Sequence, residues 1–153
     1  MYFVFVVLLL FVLPVASIAA EVLWLHDGAG LTFLIGKWFV FWPVGVRLLV
    51  AGIRQVAQPR FTAESIFEVK DPAAYAMVRE IGFGNLSMGA LGLVTLWQPA
   101  WLVPAAVVGG LYYGLAGLGH AFRSDRNFNE QTALVTDLLI FGVLAIFVIA
   151  SVW

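Results

Sequence analysis

This sequence predicts an all-α integral membrane bundle of five transmembrane helices, with a short interfacial segment between the second and third. Three observations carry that prediction. Of 153 residues, 63% are hydrophobic and only 11% charged, where soluble domains run at roughly 45–50% and a quarter. The apolar residues fall into runs long enough to cross a hydrocarbon core, which takes about 20 helical residues. The basic residues gather in alternate links between those runs. Eight Lys and Arg against nine Asp and Glu leave no basic face for a polyanion. With no cysteine, disulfides and thiolate chemistry are absent. The whole chain, 1–153, reads as one transmembrane domain with spans at about 2–25, 32–56, 72–97, 101–121 and 130–152.

The first span is interrupted only by Pro14 and Ser17 and meets its first charge at Glu21. A signal peptide would open on a positive segment, so this reads as a membrane helix. A polar link, His26 to Gly30, leads to the second span, where Pro43 should kink the helix because it has no N–H to donate. Ser65 to Glu68 fits a capping box and predicts an interfacial helix, its apolar side formed by Phe61, Ile66 and Phe67. Asp71 and Pro72 start the third span as N-cap and first helical residue. Gln98 to Ala100 turns tightly into the fourth span, and the link from Phe122 to Asn129 leads to the fifth.

Arg54, Arg60, Lys70, Arg79, Arg123 and Arg126 lie in or beside the second and fourth links, which five alternating spans put on one side. The positive-inside rule makes that side cytoplasmic, with the N-terminus in and the C-terminus out. Trp24, Trp97, Trp101 and Trp153 then share the outer boundary, where amphipathic rings settle. Gly82, Asn85, Gly89 and Gly92 line one face of the third span, and Ala106, Gly110, Gly114 and Gly117 line one face of the fourth. Small faces let helices approach closely in lipid, and the short turn between these two spans predicts that they form the close pair.

The chemistry lies in the charges placed within hydrocarbon. Arg47 is roughly 13 Å and Asp137 roughly 10 Å from the cytoplasmic end of their spans at 1.5 Å per residue. Asn85 falls in that layer, with Arg54, Glu80 and His120 nearer the boundary. Such groups cost at least a few kcal/mol in lipid, so they should turn inward and pair. Arg47 is expected on Asp137, and Glu80 on Arg54 or His120. Glu21 and Lys37 are expected to form a structural pair near the outer boundary. Irregular backbone at Pro43 beside this layer suits a cavity wall.

The leading function is therefore a non-enzymatic membrane protein with a polar cavity for a lipid, quinone-like or other small amphiphilic ligand. Arg47, Glu80, Asn85, His120 and Asp137 would bind it, with His120 able to change charge near neutral pH. In the alternative, the charges are structural and the glycine faces dock a homo-oligomer or an accessory partner. No cofactor, metal or nucleic acid is expected, since His26 and His120 are about a bilayer apart. His120 and Asp125 have the five-residue step of membrane glycerolipid acyltransferases, which that motif resembles. Without the enzyme's soluble domain, that reading ranks below the other two. Transport ranks there too, because no inverted repeat is visible.

Three segments, Gly36 to Trp42, Arg79 to Ser87 and Gly117 to His120, together with Asn127 to Glu130, resemble an uncharacterised bacterial family of small multi-pass inner-membrane proteins. Val46 to Gly52 is more loosely similar to DoxX-like proteins, from whose four spans the five expected here depart. The resemblance implies a bacterial inner membrane and brings no activity with it.

Overall fold

The computed structural model describes residues 2–25 and 28–153, with helices and no strand among them. The helices are α1 (Phe3–Trp24), α2 (Leu31–Ala57), α3 (Pro59–Ser65), α4 (Ala74–Val94), α5 (Leu102–Ala121) and α6 (Phe128–Val152). Four are long and apolar enough to cross a membrane: α1, α2, α5 with its leading turn from Pro99, and α6. The fifth expected span corresponds to α4, whose 21 residues extend about 31 Å at 1.5 Å per residue. The position expected for His26 lies outside the described residues.

Contacts fix the register of the bundle. Gly52 lies against Gly82 and Leu86, and Gly45 against Gly92 and Leu93, so α2 and α4 run antiparallel with their backbones close. Gly110 faces Leu144 and Gly117 faces Leu138, which makes α5 and α6 a second antiparallel pair. The Phe147 ring fills the notch at Gly36 and thereby ties α6 to α2. The Phe3 ring lies 5.8 Å from that of Phe128, so α1 and α6 start at the same end. Along these registers the exposed Trp24, Trp97, Trp101 and Trp153 share one end of the bundle. Arg54, Arg60, Arg79, Arg123 and Arg126 lie toward the other.

Leu10, Val40, Val44, Leu48, Tyr113, Ile140 and Leu144 form the core. The outer surface is apolar too, with Val4, Val15, Leu111, Leu115, Ile146 and Ile149 exposed. An apolar exterior around an apolar core suits lipid as the solvent.

Pro43 disturbs α2 as expected. From Val40 to Arg47 the helix opens to π-type hydrogen bonding, and the buried Tyr113 hydroxyl donates to the Pro43 carbonyl at 2.6 Å. Proline removes the bond to the Phe39 carbonyl four residues back, and the Tyr113 contact ties the bend itself to α5.

Three local expectations are corrected. The glycine stripes of α4 and α5 do not meet each other: one packs on α2 and the other on α6. The reason lies in shape, since Gly45 meets Gly92 and Gly52 meets Gly82, so the α2 and α4 backbones approach closely. Ser65 and Glu68 do not cap a helix start. Helix α3 begins at Pro59 and ends at Ser65, and Val69 N donates to Ala63 O at 2.9 Å beyond a left-handed Glu68 with φ of 57°. The chain reverses there much as at a helix C-terminus. Finally, Pro72 lies in a turn and α4 proper begins at Ala74, although Asp71 does cap the start as expected, its Oδ1 accepting from Ala73 N at 2.9 Å.

Candidate functional site

A cavity of about 1070 Å³ occupies the basic half of the bundle, with walls from α1, α2, α3, α4, α5 and α6. Phe5, Leu48, Val50, Phe67 and Ile81 supply apolar lining, and Arg47, Asn85, His120 and Asp137 polar lining. Four of the five residues expected to bind a ligand thus meet in one space. Glu80 does not: it is exposed and outside the lining. The fold turns it away because Gly82, Asn85 and Gly89 point into the bundle, and two residues back is about 200° around the helix.

Arg47 Nη2 lies 3.3 Å from Asp137 Oδ1, with both side chains almost wholly buried. No donor is aligned on that oxygen among the described residues, so the attraction is that of charge across a short gap. The guanidinium also lies 5.2 Å from the Tyr113 ring centre, which places it between the Pro43 bend and α6. Asn85 Nδ2 donates to Gln55 Oε1 at 2.7 Å.

His120 pairs with a residue that the sequence reading assigned no role. Glu130 is fully buried and lines the cavity. Its Oε1 lies 3.1 Å from His120 Nδ1 and 2.9 Å from Arg123 Nη1. The Asn127 side chain accepts from Glu130 N at 2.9 Å and caps α6. That step of three from cap to acid was visible in the sequence and marks a helix start. Only the folded helices reveal that the acid itself is buried.

Three carboxyl or amide oxygens on this wall accept no hydrogen bond from any described residue: Asn85 Oδ1, Glu130 Oε2 and Asp137 Oδ1. A buried acceptor left without a donor costs about 1–3 kcal/mol. Among the described residues no three His, Cys, Asp or Glu side chains gather as a metal would require.

At the far end of the bundle Glu21 is buried and accepts from Lys37 Nζ at 2.7 Å and from Trp38 Nε1 at 2.7 Å. This pair lies outside the cavity lining. Gly82, Gly89, Gly92, Gly110 and Gly114 are buried between helices of the same chain.

One family of sequences matches the chain over residues 1–153. The chain belongs to the family of unknown function DUF6790. No curated protein and no solved structure matches it.

Helix α3 closes part of the cavity through Phe61 and Thr62, with Ile66 and Phe67 just beyond its end. Arg54 lies over the Phe61 ring at 3.5 Å. Glu64 fastens α3 to α4 by accepting from the Tyr75 hydroxyl at 2.8 Å, and it accepts from Arg60 Nε at 3.0 Å. The Tyr75 hydroxyl and then Arg60 hold the Glu64 carboxyl below its ordinary value. A carboxylate lowered by folding stabilises the docked form above its ordinary pKa, and that contribution fades as pH falls through the lowered value. Replacing Tyr75 with phenylalanine should move the Glu64 titration upward, as read by NMR of its labelled carboxyl carbon. An unmoved titration would remove Tyr75 from this account.

Proposed function

We propose that this DUF6790 protein spans a bacterial inner membrane five times and holds a small amphiphile in the cavity at its cytoplasmic end. The observation that carries the reading is the single cavity on which Arg47, Asn85, His120, Glu130 and Asp137 converge between apolar walls. A volume of about 1070 Å³ is just above the range of small-molecule pockets, typically about 300–1,000 Å³ and mostly apolar with a few polar groups. Headgroup and tail would find matching walls.

The count of five is supported by α4, which lies along α2 from Gly82 to Gly92. Orientation rests on charge: six of the eight Lys and Arg fall in or beside the two links at the cavity end, and basic links stay cytoplasmic.

Native mass spectrometry of the full chain, extracted in a mild detergent, tests the reading. The expected result is a stoichiometric small molecule retained by the parent and lost in Ala116→Phe. That substitution puts a ring into the cavity wall at a residue that is not itself a member of an ion pair. A chain that carries nothing would defeat the proposal. A bare, discrete oligomer would turn attention to an interaction role.

A further inference from the structure

We propose that the headgroup held in this cavity is an oxyanion of single negative charge seated on Arg54; this rests on the ligand-cavity reading above. The argument is one of charge. Arg47, Arg54 and Arg123 line the cavity against the carboxylates of Glu130 and Asp137. Two of the three cations are committed, since Arg47 lies 3.3 Å from Asp137 and Arg123 lies 2.9 Å from Glu130. Among the described residues no ion pair engages Arg54. Its guanidinium lies instead over the Phe61 ring, 3.5 Å from the centre. A ring face attracts a cation without neutralising it. The end of α2 offers Arg54 only the partial charge of a helix C-terminus, roughly half a unit. The lining therefore carries one positive charge in excess. Protonation of His120 or of either carboxylate would only widen that excess.

Position makes the excess usable. Arg54 is exposed and also lines the cavity, so it stands at the opening, where an entering group can reach it. The Arg47–Asp137 pair lies seven residues further along α2, roughly 10 Å deeper on nearly the same face. Beside Arg54, Gln55 accepts from Asn85 Nδ2 through Oε1 at 2.7 Å, which leaves its amide nitrogen as a neutral donor in the lining. An ammonium headgroup would add to the excess, and an uncharged one would leave Arg54 without a counter-ion. A dianion would overshoot it. A carboxylate or a phosphodiester brings one charge and two oxygens, which the fork of a single guanidinium can hold together. The Phe61 ring under the cation continues into Ile66, Phe67 and Ile81, so a hydrocarbon tail finds apolar wall directly beside the headgroup.

Two sources share this chemistry, a fatty acid and a single-chain phosphodiester lipid, and a matched set of probes separates them. The full chain is purified in an uncharged maltoside detergent. Binding is measured for lauric acid, lauroyl-lysophosphatidylglycerol, monolauroylglycerol and dodecylamine at about pH 8.5, where a carboxyl is ionised and an amine still protonated. At least one anion should bind about tenfold more tightly than the neutral and cationic probes, the yield of one charge-assisted contact. Whichever anion leads identifies the source, and equal binding of the two shows that the charge itself is recognised. Arg54→Gln should weaken the leading anion at least fivefold and leave monolauroylglycerol unchanged. Arg79→Gln, at an exposed arginine outside the lining, should change neither. An equal loss in Arg79→Gln overturns the proposal, because anions would then be drawn to the basic end at large. An anion preference that survives Arg54→Gln overturns it as well. The ranking in the unmodified chain decides the headgroup class even if a variant fails to fold. A neutral or cationic probe that binds as tightly as the anions overturns that class and leaves the cavity reading intact. Binding of none overturns both.

Discussion

Gly92→Ala is expected to destabilise the protein by about 3 kcal/mol, the upper part of the range for overpacked cores, although it adds only one methyl group. A Cβ at Gly92 would lie 2.5 Å from Gly45 N, 2.7 Å from Gly45 Cα and 3.0 Å from the Val44 carbonyl carbon. Those are backbone atoms of α2, which no rotamer change can clear. The two helices must separate, and the Gly89 contact with Leu49 must loosen with them. In lipid there is little hydrophobic drive to compensate, because association rests on close packing. The paired control is Gly84→Ala on the same helix, where an added Cβ meets nothing within 4 Å. It should be neutral, or stabilising by up to about 1 kcal/mol through helix propensity. Unfolding of both variants in detergent, followed by tryptophan fluorescence, checks the pair. Equal stability of the two would show that the α2–α4 contact is looser than its geometry implies.

How much of this was legible in the sequence varies from residue to residue, and the differences have physical causes. The layer of Arg47 and Asp137 could be read by counting, because rise per residue fixes depth whatever the neighbours are. Glu21 and Lys37 were legible for the same reason. Which way a residue points around its helix is harder, because it depends on the partner chosen. Glu80 and Asn85 are only five residues apart, yet one is exposed and the other buried. The glycine face of α4 contained that answer, since Glu80 lies well off the line through Gly82 and Gly89. Pairing of the stripes differs from the expectation because the short connection between α4 and α5 constrains packing less than the α2 glycines that face those of α4. Glu130 was missed because a first-turn acid after an asparagine cap is ordinarily a surface residue. Its side chain is met by His120 at the end of α5 and by Arg123 in the link that follows, which no local pattern records. The capping box at Ser65 lost to Pro59, whose fixed φ starts the helix six residues earlier.

Removing either partner of the Arg47–Asp137 pair should cost more than removing both. Arg47→Met removes the cation beside Asp137 Oδ1, and Asp137→Leu removes the carboxylate beside the guanidinium. Each single change is expected to destabilise by about 3–5 kcal/mol, the usual result when one buried charge is stranded. Arg47→Met with Asp137→Leu substitutes apolar side chains for both charges and should return to within about 2 kcal/mol of the parent, since such exchanges are often close to neutral. The double-mutant cycle then gives a coupling energy of several kcal/mol, well above the error expected for independent sites. Additive single effects would mean that the two charges are served by other groups and that their proximity is incidental. The same double variant also separates stability from function. If it folds and still retains the small molecule carried by the parent, the pair serves only to hold α2 against α6. If it folds and emerges from the native mass spectrometer empty, the charges belong to the ligand site. A stable bundle with an empty cavity is the outcome the proposed function requires, because the packing core of Val44, Leu48, Ile140 and Leu144 can hold the helices without the ions, whereas apolar side chains cannot meet a polar headgroup.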